Sequence, residues 1–231
     1  MALAIELNGV TKTYGNIVAL QNLNLSIEEG KIIGLLGPNG SGKSTFFKCL
    51  TGLLTFDGSI KIHGQSVGVT TKGMVSFLPE RTYLDMSMTA KEVFKTFKTF
   101  YKDFDEQRAY ELLASLHVDE NARLRTLSKG TKEKIQLIAV MARRAKVYLL
   151  DEPIGGVDPA AREFIIKTIL TRVNEGATII ISTHLIRDIE EFLDDYIFFN
   201  ESKLISYGSA KLLHQNGKSV DEEFREVFRC F

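Results

Sequence analysis

Gly37-Pro38-Asn39-Gly40-Ser41-Gly42-Lys43-Ser44-Thr45 follows the apolar run Lys31 to Leu36 and precedes Phe46 to Leu54, whose pattern is helical. The spacing G-x-x-x-x-G-K-[ST] between a strand and a helix reads as a phosphate-binding loop. Its glycines let backbone amides turn inward and approach an anion where a Cβ would obstruct them. Those amides, with the following helix N-terminus, make a cradle for phosphate. Lys43 supplies a positive charge for the β and γ phosphates, and the Ser44 hydroxyl is placed to ligate Mg²⁺. The plainer alternative is a glycine-rich turn that binds nothing.

The bulk numbers narrow the field around that loop. A chain of 231 residues with 44% hydrophobic content has a real core, which argues against disorder. Lysine plus arginine equals aspartate plus glutamate, 29 each, so no global basic field recruits nucleic acid. Cys49 and Cys230 lie far apart, and Met1 to Ile5 is too short for a signal sequence, so reduced thiols and a cytoplasmic location are expected. No apolar run approaches the roughly 18 residues of a membrane helix. A soluble protein is expected, with any membrane role requiring another chain.

Residues 3 to 29 alternate apolar and polar side chains (Leu3, Ile5, Leu7; Leu23, Leu25, Ile27), the pattern of half-buried antiparallel strands, and Ser59 to His63 looks like another. By contrast Lys31 to Leu36, Met74 to Leu78, Val147 to Leu150 and Ala177 to Ile181 are short, nearly all-apolar runs, as expected of parallel strands covered on both faces. The implied fold is α/β: a mostly parallel core with an N-terminal antiparallel β subdomain. Strand signals vanish between Thr89 and Ala142, where three helices are expected over roughly 89–102, 105–117 and 129–143. In the first, Val93, Phe97, Phe100, Tyr101 and Phe104 form an aromatic stripe expected to be core. Lys91, Lys95, Lys98 and Lys102 form the opposite, solvated face, of a kind that also suits anionic headgroups or a partner. Ser219 and Glu222 make a capping box ahead of Phe224, Val227, Phe228 and Phe231, a short docking helix.

Val147 to Leu150 ends in Asp151-Glu152-Pro153, two carboxylates at the C-terminal end of a buried strand, where ligands bind in open α/β sheets. Neighbouring strand residues point to opposite sides, so their tasks differ. Asp151 suits the Mg²⁺ shell, and Glu152 suits a general base that deprotonates an attacking water. Asp158-Pro159 reads more simply as a helix start, Asp as N-cap and Pro at the first helical position.

Strand, loop and carboxylate alone say only that the chain is a P-loop ATPase or GTPase. Leu127-Ser128-Lys129-Gly130-Thr131 before the third insertion helix, Ser182-Thr183-His184 after an apolar strand, and Tyr14-Gly15 in the first antiparallel sheet narrow it further. In that order and spacing the chain resembles an ATP-binding cassette (ABC) ATPase, the nucleotide-hydrolysing subunit of an ABC transporter, from about Leu3 to Gly208. The resemblance implies a P-loop NTPase core over 1–78 and 144–231, with an all-helical subdomain over 79–143. It implies that Tyr14 stacks on adenine and that His184 contacts the γ-phosphate and the attacking water. Ser128 and Gly130 would face the γ-phosphate bound by a second cassette in a head-to-tail homodimer or heterodimer, and Asp158 would communicate across that interface. The implied partners are ATP, Mg²⁺, a second cassette and a separately encoded integral membrane permease. That permease would dock near the helical insertion and Glu80, and would hold the chain at the inner face of the membrane.

The chain departs from the family pattern twice. Glu80, in Phe77-Leu78-Pro79-Glu80, stands where the family has a glutamine. It keeps an acceptor for Mg²⁺ and loses the amide donor. Lys129 and Thr131 replace the usual glycine and glutamine of the signature motif. Both departures resemble the branch that exports drugs, antimicrobial peptides or polymers. A soluble ABC ATPase acting on ribosomes or DNA is the runner-up, disfavoured by the neutral charge and the lack of heptads. A GTPase lacks its Asn-Lys-x-Asp motif here, a P-loop kinase leaves Leu127 to Thr131 unexplained, and a non-catalytic cassette sits poorly with Lys43 and Glu152 both present.

Overall fold

The computed structural model describes residues 2–155, 159–172 and 176–229. The chain runs β1 (Leu3–Tyr14), β2 (Ile17–Glu28), β3 (Ile32–Leu36), α1 (Lys43–Leu50), β4 (Asp57–Ile62), β5 (Gln65–Ser66), α2 (Val69–Lys72) and β6 (Val75–Leu78). Three helices follow, α3 (Ala90–Phe100), α4 (Glu106–Ser115) and α5 (Lys129–Met141). The remainder is β7 (Val147–Asp151), α6 (Pro159–Arg172), β8 (Thr178–Ser182), β9 (Asp195–Asn200), β10 (Lys203–Ser209), α7 (Ala210–Gln215) and α8 (Val220–Phe228).

The alternating segments pair antiparallel in the order β2-β1-β4-β5, and the apolar runs form a six-stranded sheet in the order β10-β9-β3-β8-β7-β6. Every pairing from β9 to β6 is parallel, and only β10 turns back. The apolar runs are continuous because both faces of this sheet are covered. On β7, Val147 and Leu149 join the cluster shared with α1 and the antiparallel sheet, while Tyr148 and Leu150 join the cluster beneath α6 and α8. The β9–β10 hairpin was not among the expected strands, although β9 is buried along its whole length.

The insertion forms a third cluster, from Ala90 to Ala142, with Phe164 of α6 packed against it and α3 started by a Thr89–Glu92 capping box; Leu137, Val140 and Met141 of α5 face the sheet cluster instead. Val93, Phe97 and Phe104 are buried as expected, but Phe100 is 77% exposed. At about 100° per residue Phe100 lies some 70° from the middle of the arc set by Ala90, Val93, Phe94 and Phe97. Phe94, fully buried, fills the place instead. Of the lysine stripe, Lys91 pairs with Glu120 and Lys98 with Glu106. Arg143 joins the insertion to the sheet: its buried guanidinium is bidentate to Asp103, donates to the carbonyls of Gly73 and Val75, and lies 3.8 Å from the Tyr101 ring centre.

At the C-terminus the Ser219–Glu222 capping box forms, with bonds of 3.0 and 2.9 Å, and α8 docks as expected through Phe224 and Phe228 against Phe198. Phe231 and Cys230 lie outside the described residues. Cys49 is buried, which pushes its thiol up to about 11. Among the described residues no helix is long and apolar enough to cross a membrane.

Candidate active site

The carboxyl ends of the parallel strands deliver the chemistry to one edge, as open α/β sheets do. β3 leads into Gly37, β6 into Pro79-Glu80, β7 through its last residue Asp151 into Glu152, β8 into Thr183-His184, and β9 into Glu201-Ser202. A cleft of about 1440 Å³ opens there, lined by Gly37 to Gly40, Gly42 to Thr45, Glu80, Asp151, Glu152 and His184 among others.

The loop from Gly37 to Gly42 is wedged between neighbouring backbones. A Cβ on Gly37 would overlap the Phe199 carbonyl, and one on Gly42 would sit 2.5 Å from the Ala19 carbonyl. Gly42 also has φ 109, a conformation that L side chains rarely adopt. Lys43 folds back and donates to the carbonyls of Gly37 (2.8 Å) and Pro38 (3.1 Å). Burial holds its ammonium below the usual lysine range, against the opposing pull of Glu152, Asp151 and Glu80. The Ser41 hydroxyl is buried in the same loop with no hydrogen-bond partner among the described residues. A buried unpaired hydroxyl, a desolvated ammonium and inward-facing glycines are the features an anionic phosphate chain satisfies.

Across the cleft the carboxylates are held by Ser182, which lies opposite Asp151 in the parallel register. Its hydroxyl donates to Asp151 Oδ1 at 2.6 Å and accepts the Glu152 amide at 3.0 Å. Glu152 leaves the strand with φ 50, a left-handed conformation that costs a non-glycine residue roughly 1–3 kcal/mol and turns its side chain toward the cleft. Its Oε2 lies 3.0 Å from His184 Nδ1. An ionised carboxylate only accepts, so the shared proton belongs on Nδ1. The sequence placed the carboxylates and His184 but gave Ser182 no role. The signal was there, a hydroxyl closing the all-isoleucine run of β8 at the level of Asp151.

The other expected residues are spread more widely. Tyr14 closes β1, 44% exposed, with Lys12 Nζ 5.4 Å from its ring centre. It does not line the cleft, whereas Ile17, Val18 and Ala19 of the same hairpin do. Ser128 caps α5, accepting the Thr131 amide at 3.2 Å, and a Cβ on Gly130 would meet no described atom within 4 Å beyond its chain neighbours and its own helix backbone. Neither residue lines the cleft, though Lys129, Lys132 and Glu133 of the same helix do. Asp158 lies outside the described residues.

The family model described as "ABC transporter" matches residues 20–155, more than half of the chain and all of the loop-to-carboxylate span. The chain belongs to the ABC transporter family. It is 32% identical over 209 residues to the SkfA peptide export ATP-binding protein SkfE of Bacillus subtilis (strain 168), covering 87% of each chain. It is 29% identical to the Nod factor export ATP-binding protein I of Rhizobium sp. (strain N33), over 91% of this chain and 72% of that one. Among solved structures, an ATP-binding subunit of an ABC transporter superposes with TM-score 0.87 at 25% identity, over 97% of this chain and 99% of that one. The bacterial ABC transporter cassette MJ0796, solved as a dimer, superposes at 0.78 and 25% identity, over 89% and 98%. The chain is thus an ABC ATPase, an ATP-binding and ATP-hydrolysing subunit of an ABC transporter. Cassettes of this family bind ATP, dimerise and work with transporters.

Proposed function

We propose that this ABC ATPase powers export through a separately encoded membrane permease, and that Lys43, Asp151, Glu152 and His184 carry its chemistry. The observation that carries the assignment is the convergence of Lys43 and the Glu152–His184 pair on one cleft at the strand ends. Lys43 exchanges its two loop carbonyls for β and γ phosphate oxygens, beside the amides of Gly37 to Thr45. Glu152 accepts the proton of the attacking water, and His184, oriented by Glu152, holds that water against the γ-phosphate. Ser44, Asp151 and Glu80 are the oxygen donors that fit Mg²⁺, which when bound neutralises charge on the leaving phosphates. Tyr14 supports the adenine.

Ser128 and Gly130 serve the partner cassette's nucleotide, and Asp158 the contact between the two copies. The openness of Gly130 and the N-terminal exposure of α5 support that reading. The helical subdomain, 79–143, is the element the permease engages, near Glu80, which holds the protein at the inner face of the membrane. The separate cluster of α3, α4 and the outer face of α5 supports the division from 1–78 and 144–231, with Leu137, Val140 and Met141 of α5 joining it to the core sheet. Export is favoured by the relatives, named for peptide and Nod factor export.

The test is gel filtration and phosphate release with a Glu152→Gln variant. ATP drives it into a dimer that hydrolyses at least 100-fold more slowly than the unmodified chain. A monomer at high micromolar concentration with and without ATP overturns the head-to-tail site, and an unaltered rate overturns the role of Glu152.

A further inference from the structure

β9 and β10 pair antiparallel with Asn200 opposite Lys203, leaving Glu201-Ser202 as a two-residue turn. Both turn residues are left-handed, with φ 43 and 67. Such a turn favours glycine at its second position, where Ser202 carries a steric penalty that glycine lacks.

The bonding of Ser202 is unusual for a turn residue, because every polar group it has is committed to another part of the chain. Its amide donates to the Ser41 carbonyl in the phosphate loop at 3.2 Å. Its carbonyl accepts the Gln21 amide of β2 at 2.8 Å. Its hydroxyl donates to the Val18 carbonyl, also in β2, at 2.7 Å. Glycine at this position would keep the first two bonds and relax the backbone. The side chain therefore adds one thing only, the tie to Val18.

Val18 lies near the tip of the β1–β2 hairpin, and with Ile17 and Ala19 it lines the same cleft as the loop and as Asn200, Glu201 and Ser202. The hairpin ladder is irregular toward that tip, with register shifts between Val10 and Lys12 and between Lys12 and Thr13. Ile17 and Val18 are 71% and 43% exposed, an aliphatic edge beside the phosphate loop. Cross-strand pairing holds this edge less firmly than a regular ladder would, and Ser202 bridges it to Ser41.

We infer that Ser202 is a positioning residue that fixes the β1–β2 tip against the phosphate loop and so sets the grip on the nucleoside end of ATP. This rests on the proposed nucleotide site. On that reading the nucleoside lies along this apolar rim of the cleft, and Ser202→Gly frees the rim while keeping the bond to Ser41 in the phosphate cradle, so its effect is separable by ligand.

The experiment compares equilibrium binding of ATP and of inorganic tripolyphosphate, which has no nucleoside, to the full chain and to Ser202→Gly. The expected result is ATP binding weakened about five-fold, the factor for one lost hydrogen bond. Tripolyphosphate binding stays unchanged, and the melting temperature does not fall. A structural defect would move both ligands together. Equal losses on both ligands, or no loss on ATP, overturn the inference. Should Ser202→Gly fail to fold, Ser202→Ala keeps the Cβ and removes only the hydroxyl, with the same ligand contrast expected and the same outcomes overturning it. Lys43→Ala separates the two readings. If it binds tripolyphosphate as tightly as the unmodified chain, the nucleotide site itself is wrong, whatever Ser202 does.

Discussion

Two stretches of this chain each launch a helix from a glycine-containing motif, and they are packed in opposite ways. Around Gly37 and Gly42 the space a side chain would need is already filled by the carbonyls of Phe199 and Ala19. Around Gly130 it is empty among the described residues. Lys43 is buried and bonded inward, while the Lys129 side chain at the start of α5 is 83% exposed and pairs with Glu133 at 3.7 Å. The first motif gets its shape from its own chain. The second is displayed to solvent, which is what its proposed role at a partner cassette's nucleotide requires.

The largest expected effect breaks the first motif chemically. Lys43→Ala removes the buried cation and lowers phosphate release by at least 100-fold, measured on purified protein. Next, paired glycine substitutions separate shape from display. Gly42→Ala forces a Cβ into a carbonyl at φ 109 and lowers unfolding free energy by about 3 kcal/mol in denaturant titration. Gly130→Ala, in an open helical position, raises it by roughly 0.5–1 kcal/mol, yet slows hydrolysis about ten-fold by blocking the approach of the opposite nucleotide. If Gly130→Ala destabilises the chain, or Gly42→Ala does not, the contrast fails.

A smaller effect is read by pH. Burial lowers the Lys43 pKa in the free protein, and bound phosphate raises it again, so ATP keeps a proton that the free chain gives up. Affinity is therefore steady at low pH and falls as pH climbs through the lowered free-state value toward 10.5. A flat profile across that alkaline range would remove burial as the cause.

How much of this was legible beforehand follows the same division. Gly37 to Thr45 was readable because the residues that shape this loop are consecutive in the sequence. Asp151 and His184 were readable because each ends a buried apolar run. Ser182 and Ser202 were not, since each acts through a register or a turn that pairs it with a residue far away in the chain. Phe100 was misplaced because a stripe drawn by spacing alone ignores where the helix stops and how wide its buried arc is. The strands β9 and β10 escaped because they follow a polar stretch, though Tyr196 to Phe199 has the same unbroken apolar character as the other core strands.

Arg143 has a mechanical corollary. Its guanidinium grips Asp103 in the helical layer and the carbonyls of Gly73 and Val75, at the near end of a strand only four residues long. An extended backbone of that length barely stretches, at about 3.3 Å per residue. A load on the helices would therefore travel along β6 as along a push-rod, to reach Pro79 and Glu80 at the rim of the cleft.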